Sequence, residues 1–400
     1  MNLKLVFCLA PLITALFGGC AIRQPMVMPN CQIYDIHMLN TRDGWAQAYG
    51  PDGSLILRTT DGGQHWKNVT PSVVPPQFQY NIETCEFATT KTAWATINTN
   101  AWILLMTTNG GKSWARVGPS FRYFSDASNV RFVDDHFGVA QVGDGGLGSI
   151  YYSFYQTLDG GTSWTPLAVT SPNSISDGPG TVHLSSYNGD QMAYYPRKTF
   201  IVAYGESGDF APNGYIRLSI SKDFGKSWRQ LHLPVPDALR NEYTEPLVPV
   251  FFAEHHGILP IEIFTQNDIS RTFHELLFYR TTDGGETWSV GGMVAIGKNG
   301  MASEDCDVIS AEDIVVRNGG VLNLSHDAGK TWRQITPNID LGLEDPKSRR
   351  DMVRMNFADA DHGWMIICDY NTSWPYDDYW FYRTKDGGKK WAEVPVMTSK

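Results

Sequence analysis

No cluster of lysine or arginine stands out in the chain. Its 32 basic residues face 42 acidic ones, a formal net charge of −10 over 400 residues. Nucleic acid is gripped by grouped cations, so this composition argues against a nucleic-acid partner. No apolar run reaches the roughly 20 residues that a membrane-spanning helix needs. A phosphate-binding glycine loop, a nucleophile elbow and a metal-type cysteine cluster are also missing. No metal and no cofactor is expected. The negative charge is read as simple solubility, and the chain as a monomer.

The N-terminus is the first informative segment. Lys4 gives a short positive start, Leu5 to Phe17 are apolar apart from Thr14, and Phe17-Gly18-Gly19 lead into Cys20. This layout describes a secretory signal over residues 1–19. The small pair before Cys20 resembles a bacterial lipobox, although Phe17 stands where a branched aliphatic residue is usual. The resemblance implies cleavage before Cys20 and its lipidation. Residues 20–30 would then be a tether holding the rest to the outer side of a membrane. A plain secreted protein with an incidental cysteine is the alternative. Ala21, rather than Asp, leans toward the outer membrane if the source has one.

Residues 31–400 are dominated by one repeat. It reads Thr59-Thr60-Asp61-Gly62-Gly63-Gln64-His65-Trp66 in its first copy. Six more copies centre on Asn109, Asp159, Asp223, Asp283, Asp327 and Asp386, and end on Trp114, Trp164, Trp228, Trp288, Trp332 and Trp391. This is the Asp-box pattern, Ser/Thr-x-Asp-x-Gly-x-Thr-Trp. Asp-Gly between strand-like runs is a hairpin signal, and the carboxylate can accept hydrogen bonds from its own turn. Seven equivalent carboxylates cannot all be one catalytic centre, so they are read as turn clasps. The tryptophans are read as packing faces toward neighbouring units.

A weaker repeat lies upstream of each box: Met38 before Gly44-Trp45, Phe132 before Gly138, Phe251 before Gly257, Phe357 before Gly363-Trp364. Phe200 to Ala203 is the equivalent expected in the irregular fourth unit. In the first unit the strands are read as Ile33 to Leu39, Gly44 to Tyr49, Leu55 to Thr59 and His65 to Val69. Four short strands per unit, repeated seven times, make an all-β, seven-bladed β-propeller of four-stranded antiparallel blades.

Gly44-Trp45-Ala46 followed by Leu57-Arg58-Thr59-Thr60-Asp61-Gly62-Gly63 is similar to the repeats of the photosystem II assembly/stability factor family. That resemblance implies a noncatalytic binding or assembly scaffold with a protein partner. It does not imply photosynthesis. Similar boxes occur in sialidases and xyloglucan-cleaving glycosidases, which keeps a glycan-binding or glycan-hydrolysing propeller as the alternative.

Strand direction alternates, so all boxes share one face with the strand one–two turns. The strand two–three loops lie on the other face: Gly143 to Ser149, Gly205 to Tyr215, Pro260 to Thr272 and Asp369 to Trp380. Connectors such as Pro71 to Tyr80 and Pro234 to Pro249 join them there. Long loops on a rigid scaffold are where binding concentrates, so the site is expected opposite the boxes, near the axis. The richest loop carries Tyr370, Trp374, Tyr376, Asp377, Asp378, Tyr379 and Trp380. It either engages a ligand or packs its rings on its own blade.

Cys85 and Cys306 fall in a slot held elsewhere by Ile36, Val130 and Met355, an apolar position. Cys31 and Cys368 fall at strand ends on the same face of what would be adjacent first and last blades. They make a candidate disulfide, with free thiols as the alternative. Arg58, Arg280 and Arg383 share one slot before a box, so they are read as strand-three surface residues rather than a converging sialidase triad. His255-His256 reads as a solvated turn rather than a metal site. No catalytic residue is assigned.

Overall fold

The computed structural model describes residues 31–51, 53–72, 82–98, 102–117, 129–132, 134–146, 149–166, 181–182, 191–195, 199–204, 215–223, 227, 229–252, 255–266, 271–296, 305–341, 350–369, 378–396 and 398–399. Cys20, Trp228, Tyr370, Trp374, Tyr376 and Asp377 lie outside these, as does the tether at 20–30. Among the described residues no helix is long and apolar enough to cross a membrane.

Seven antiparallel sheets follow one another along the chain, each a blade of a seven-bladed β-propeller. Blade 1 is built from Gln32–Met38, Gly44–Gly50, Gly53–Thr59 and Trp66–Asn68. Blade 7 is built from Arg350–Phe357, Gly363–Asp369, Asp378–Thr384 and Trp391–Glu393. The first strands of blades 7 and 1, of 2 and 3, and of 6 and 7 lie beside each other, which places them around the axis.

Single four-stranded blades bury little alone, so the core lies between blades. Each apolar cluster mixes two neighbours: Trp45 and Val69 of blade 1 pack with Ile82 and Phe87 of blade 2. Leu324 and Ile335 of blade 6 pack with Met352 and Trp391 of blade 7. The ring closes the same way, with Ile36, Leu57 and Trp66 against Trp364, Ile366 and Phe381. The C-terminal pair Thr398–Ser399 adds a short parallel strand to the outer edge of blade 1. Closure is therefore a packed seam plus an edge strand.

The upstream Phe–Gly repeat has a steric cause. A Cβ on Gly363 would lie 2.5 Å from the Phe357 ring, and one on Gly138 would lie 2.6 Å from the Phe132 ring. Glycine at the start of strand two makes room for the large side chain ending strand one.

Several expectations need correction. Phe200 to Ala203 belongs to strand two of blade 4, Thr199–Tyr204; strand one is Gln191–Tyr195. Phe200 takes the place of Gly44, pairing with box residue Ser221 as Gly44 pairs with Thr59, and Tyr194 takes the place of Met38. Gly143 to Ser149 and Pro260 to Thr272 are mostly extended hairpin, with strands reaching Gly146 and Gln266. Pro234 to Pro249, read as a connector, contains half of the inner strand of blade 5: Tyr243–Pro246 and Val250–Phe252 both pair with His256–Gln266. Asp378, Tyr379 and Trp380 begin strand three of blade 7 rather than sitting in a loop. Antiparallel partners extend a hairpin for as long as main-chain bonds can be made, and polar composition alone does not mark where that stops.

Candidate functional site

On the box face, all seven clasps form. The Asp61 carboxylate accepts from the Thr59 hydroxyl and the His65 amide, both at 3.0 Å, and its other oxygen meets His65 Nδ1 at 2.7 Å. Asp159, Asp223, Asp283 and Asp327 each accept from the amide and hydroxyl of the residue four places on, at 2.6–2.9 Å. Asp386 accepts from the Lys390 amide, and Asn109 accepts from the Ser113 amide while donating to its hydroxyl. The hydrogen bonds from Thr331 push the Asp327 carboxyl down to about 2. These carboxylates are held in the turn by their own hydrogen bonds, and where those bonds lower the pKa the group stays ionised and has no proton to donate.

Six of the boxes, all but that of blade 4, are also seen tied to the strand one–two turn of their own blade. Gly62 N–H donates to Arg42 O at 2.8 Å, Gly110 to Lys91 O at 2.8 Å, and Gly387 to Asp361 O at 2.9 Å. These turns carry a second clasp that the sequence reading missed. Asn40, Thr89, Asp134, Ser310 and Asp359 each accept main-chain N–H bonds from residues two and three places ahead. All five stand four residues before strand two. The signal was present as one turn-forming residue type at a fixed offset, hidden because four different amino acids share the role.

The box tryptophans divide. Trp164, Trp288 and Trp391 donate to the carbonyl of their own second box glycine, at 2.9–3.1 Å. Trp114 donates to Val69 O of the preceding blade at 2.7 Å. Trp66 meets Phe381 of blade 7 edge-on, and Trp332 tilts against Phe278 of blade 5. A separate set, at the start of strand two, ties blade to blade. Trp45 donates to Thr89 O, Trp94 to Gly160 O and Trp364 to Gly62 O, each at 3.0 Å. Arg58 and Arg383 stack over Trp45 and Trp364, with 5.7 and 5.4 Å to the ring centroids. With Arg280 they lie on blades 1, 5 and 7 and do not converge, as expected. All three are half-buried rather than surface residues, and Arg58 and Arg383 are the two seen to stack.

Around the axis, polar side chains of the first strands join neighbouring blades. Arg354 of blade 7 meets Asp35 of blade 1 at 3.2 Å, and Arg131 of blade 3 meets Glu86 of blade 2 at 3.0 Å. Burial lowers the pKa of His37, which feels Asp35, Arg354 and Arg131. Burial pushes the Asp307 carboxyl up to about 6, although the Phe357 N–H donates to it. Between blades 6 and 7, buried Arg317 bridges Asp305 and Asp351 and donates to Leu341 O.

On the face opposite the boxes, at the seam of blades 7 and 1, Tyr34 stacks on Tyr49 at 4.3 Å and Tyr379 approaches Tyr49 at 6.4 Å. Tyr379 and Trp380, expected in a binding loop, are half-buried against the two clusters that flank blade 7. Cys31 and Cys368 are not bridged; Cys31 packs at the seam and Cys368 is buried in strand two of blade 7. Cys85 and Cys306 are half-buried beside apolar clusters, and burial raises their thiol pKa values, as their slot predicts. His255 and His256 are exposed, with the His255 carbonyl holding the blade 5 box. Among the described residues no group of three His, Cys, Asp or Glu is placed to hold a metal.

Residues 23–209 match the family described as photosynthesis system II assembly factor YCF48, and residues 279–290 match the BNR/Asp-box repeat. A structure titled YCF48 bound to D1 peptide is similar at 17% identity and TM-score 0.49, covering 91% of this chain and 95% of that one. YCF48 from Cyanidioschyzon merolae is similar at 16% identity and TM-score 0.47, covering 87% and 96%. An ulvan lyase, a polysaccharide lyase bound to a GlcA-Rha3S unit, is similar at 11% identity and TM-score 0.52, covering 92% and 97%. Among the curated proteins no sequence matches significantly.

Proposed function

We propose that this chain, an Asp-box seven-bladed propeller resembling the photosystem II assembly factor family, is a noncatalytic binding and assembly scaffold of the cell envelope. Lipid on Cys20 tethers it to the membrane, and a protein partner is held on the face opposite the boxes. The observation that carries this reading is where the repeat spends its polar groups. The box carboxylates close their own turns, the slot arginines Arg58 and Arg383 stack on tryptophan, and the first-strand ion pairs join blade to blade. What this builds is a rigid ring. The match over residues 23–209 to an assembly factor family supports the same reading. The tyrosines at 34, 49 and 379 supply aromatic surface suited to anchoring a partner.

Affinity capture of the intact chain from native membranes, beside a glycan panel read for both binding and turnover, tests the proposal. A reproducible, stoichiometric protein partner and no turnover is the expected result. Hydrolysis or elimination on any glycan would overturn it in favour of a glycan-active propeller. The anchor is tested separately: Cys20→Ser moves the chain from the membrane to the soluble fraction.

A further inference from the structure

The seam between blades 7 and 1 carries a cleft on the box face, the face that the repeat analysis set aside. It is lined by Thr41, Arg42, Asp61, Gln64, His362, Arg383 and Lys385, with a volume of about 350 Å³. A second cleft of about 410 Å³ shares Gln64, Arg383 and Lys385 and continues over Lys390, Ala392 and Val394 beside Asp386. In a chain of net charge −10, each half of this groove sets three cations against one carboxylate. Both carboxylates, Asp61 and Asp386, are already tied into their box turns.

The repeat supplies an internal control. Arg58 of blade 1 and Arg383 of blade 7 occupy the same slot and stack on the same strand-two tryptophan. Arg58 has a counter-ion: Asp43, directly before strand two, lies 3.8 Å from its guanidinium. In blade 7 that position is His362, whose ring is turned to Asp359 at 2.8 Å. Arg383 has no carboxylate in that slot; it donates to the Thr41 carbonyl at 3.3 Å and feels the box carboxylate Asp61, and its buried Nε, like that of Arg58, has no hydrogen-bond partner. An anion in the groove would give Arg383 the countercharge that Asp43 gives Arg58. Exposed Arg42, Lys385 and Lys390 add charge around it, and the exposed Gln64 amide adds a donor.

We infer that the blade 7–blade 1 seam is an oxyanion-binding site, in which Arg383, Arg42 and Lys385 hold a phosphate, sulfate or carboxylate group in the place that Asp43 fills in blade 1. The site is separate from the partner face proposed above, and neither depends on the other.

Isothermal titration of the intact chain in detergent at low ionic strength, with inorganic phosphate, sulfate and citrate in turn, tests the assignment. Binding of at least one probe is expected, weakening as salt is raised. His362→Asp installs the counter-ion of blade 1 and should weaken that binding by about tenfold or more. Lys385→Gln, at an exposed position that leaves the fold untouched, should weaken it by about three- to tenfold. It decides the matter if the first variant does not fold. Absence of binding by all three probes, or unchanged affinity in both folded variants, would overturn the assignment.

Discussion

The two seams that flank blade 7 are held by different physics. Toward blade 1, the buried core of the contact is aromatic and apolar, and its ion pair, Arg354 with Asp35, is only half-buried: Trp364 donates to Gly62 O, Trp66 meets the Phe381 ring, and Ile36, Leu57 and Ile366 fill the space between. Toward blade 6, a buried ion network of Arg317, Asp305 and Asp351 is set beside Leu322, Met352 and Met355. The first seam joins the two ends of the chain, where no peptide connection helps. Non-directional burial and stacking tolerate that. The second joins consecutive blades, where the covalent link already brings the partners together and a geometry-dependent network can form. A repeat protein thus need not repeat its glue.

Four perturbations separate the seams. Arg317→Ala leaves two carboxylates without their shared cation in a buried setting, and should cost about 3–5 kcal/mol in urea unfolding. A loss below about 1 kcal/mol would show that the network is incidental. Asp307, in the same seam, is pushed up to about 6 by burial from an ordinary value of 3.8. Its native state therefore prefers the protonated carboxyl. The stability this contributes is full below pH 4 and is lost as pH rises through about 6. Asp307→Asn, which keeps an acceptor for the Phe357 N–H, should remove that slope, on the order of 2 kcal/mol between pH 4 and pH 7. Unfolding curves across that window check it. At the aromatic seam, Trp364→Phe keeps the ring and removes the donor to Gly62 O, with an expected loss of about 1–2 kcal/mol. The smallest effect belongs to Asp61→Asn. Asn109 already makes the same clasp through its amide oxygen, so the change should stay near 0.5 kcal/mol. A collapse of the fold on that substitution would mean that the box charge does more than close a turn.

Much of this was legible in sequence, because a turn built on Asp-x-Gly with a following Trp announces itself wherever it occurs. The seven boxes, the blade 1 strands and the sharing of one face by boxes and strand one–two turns all followed from local chemistry. What stayed hidden was degenerate or nonlocal. The Asn40-type clasp uses Asn, Thr, Asp and Ser interchangeably, so no single letter recurs. Strand one of blade 4 carries Tyr194 where blades 1, 3, 5 and 7 have Met or Phe, opposite Phe200 where those blades have glycine. Tyr379 and Trp380 looked like loop aromatics because only their cross-strand partners, Cys368 and Ile367, reveal them as strand. The seam cleft was invisible because Arg42, Gln64, His362, Arg383 and Lys385 meet only when the last blade closes on the first.

The central claim is that the box face is architecture and the opposite face binds the partner. Site-specific photocrosslinking in native membranes tests it most directly, with the crosslinker placed at Pro51 or Asn318 on the opposite face and at Lys112 or Lys330 in the boxes. The account predicts one defined protein adduct from the first pair and none from the second. Adducts confined to Lys112 and Lys330 would contradict it.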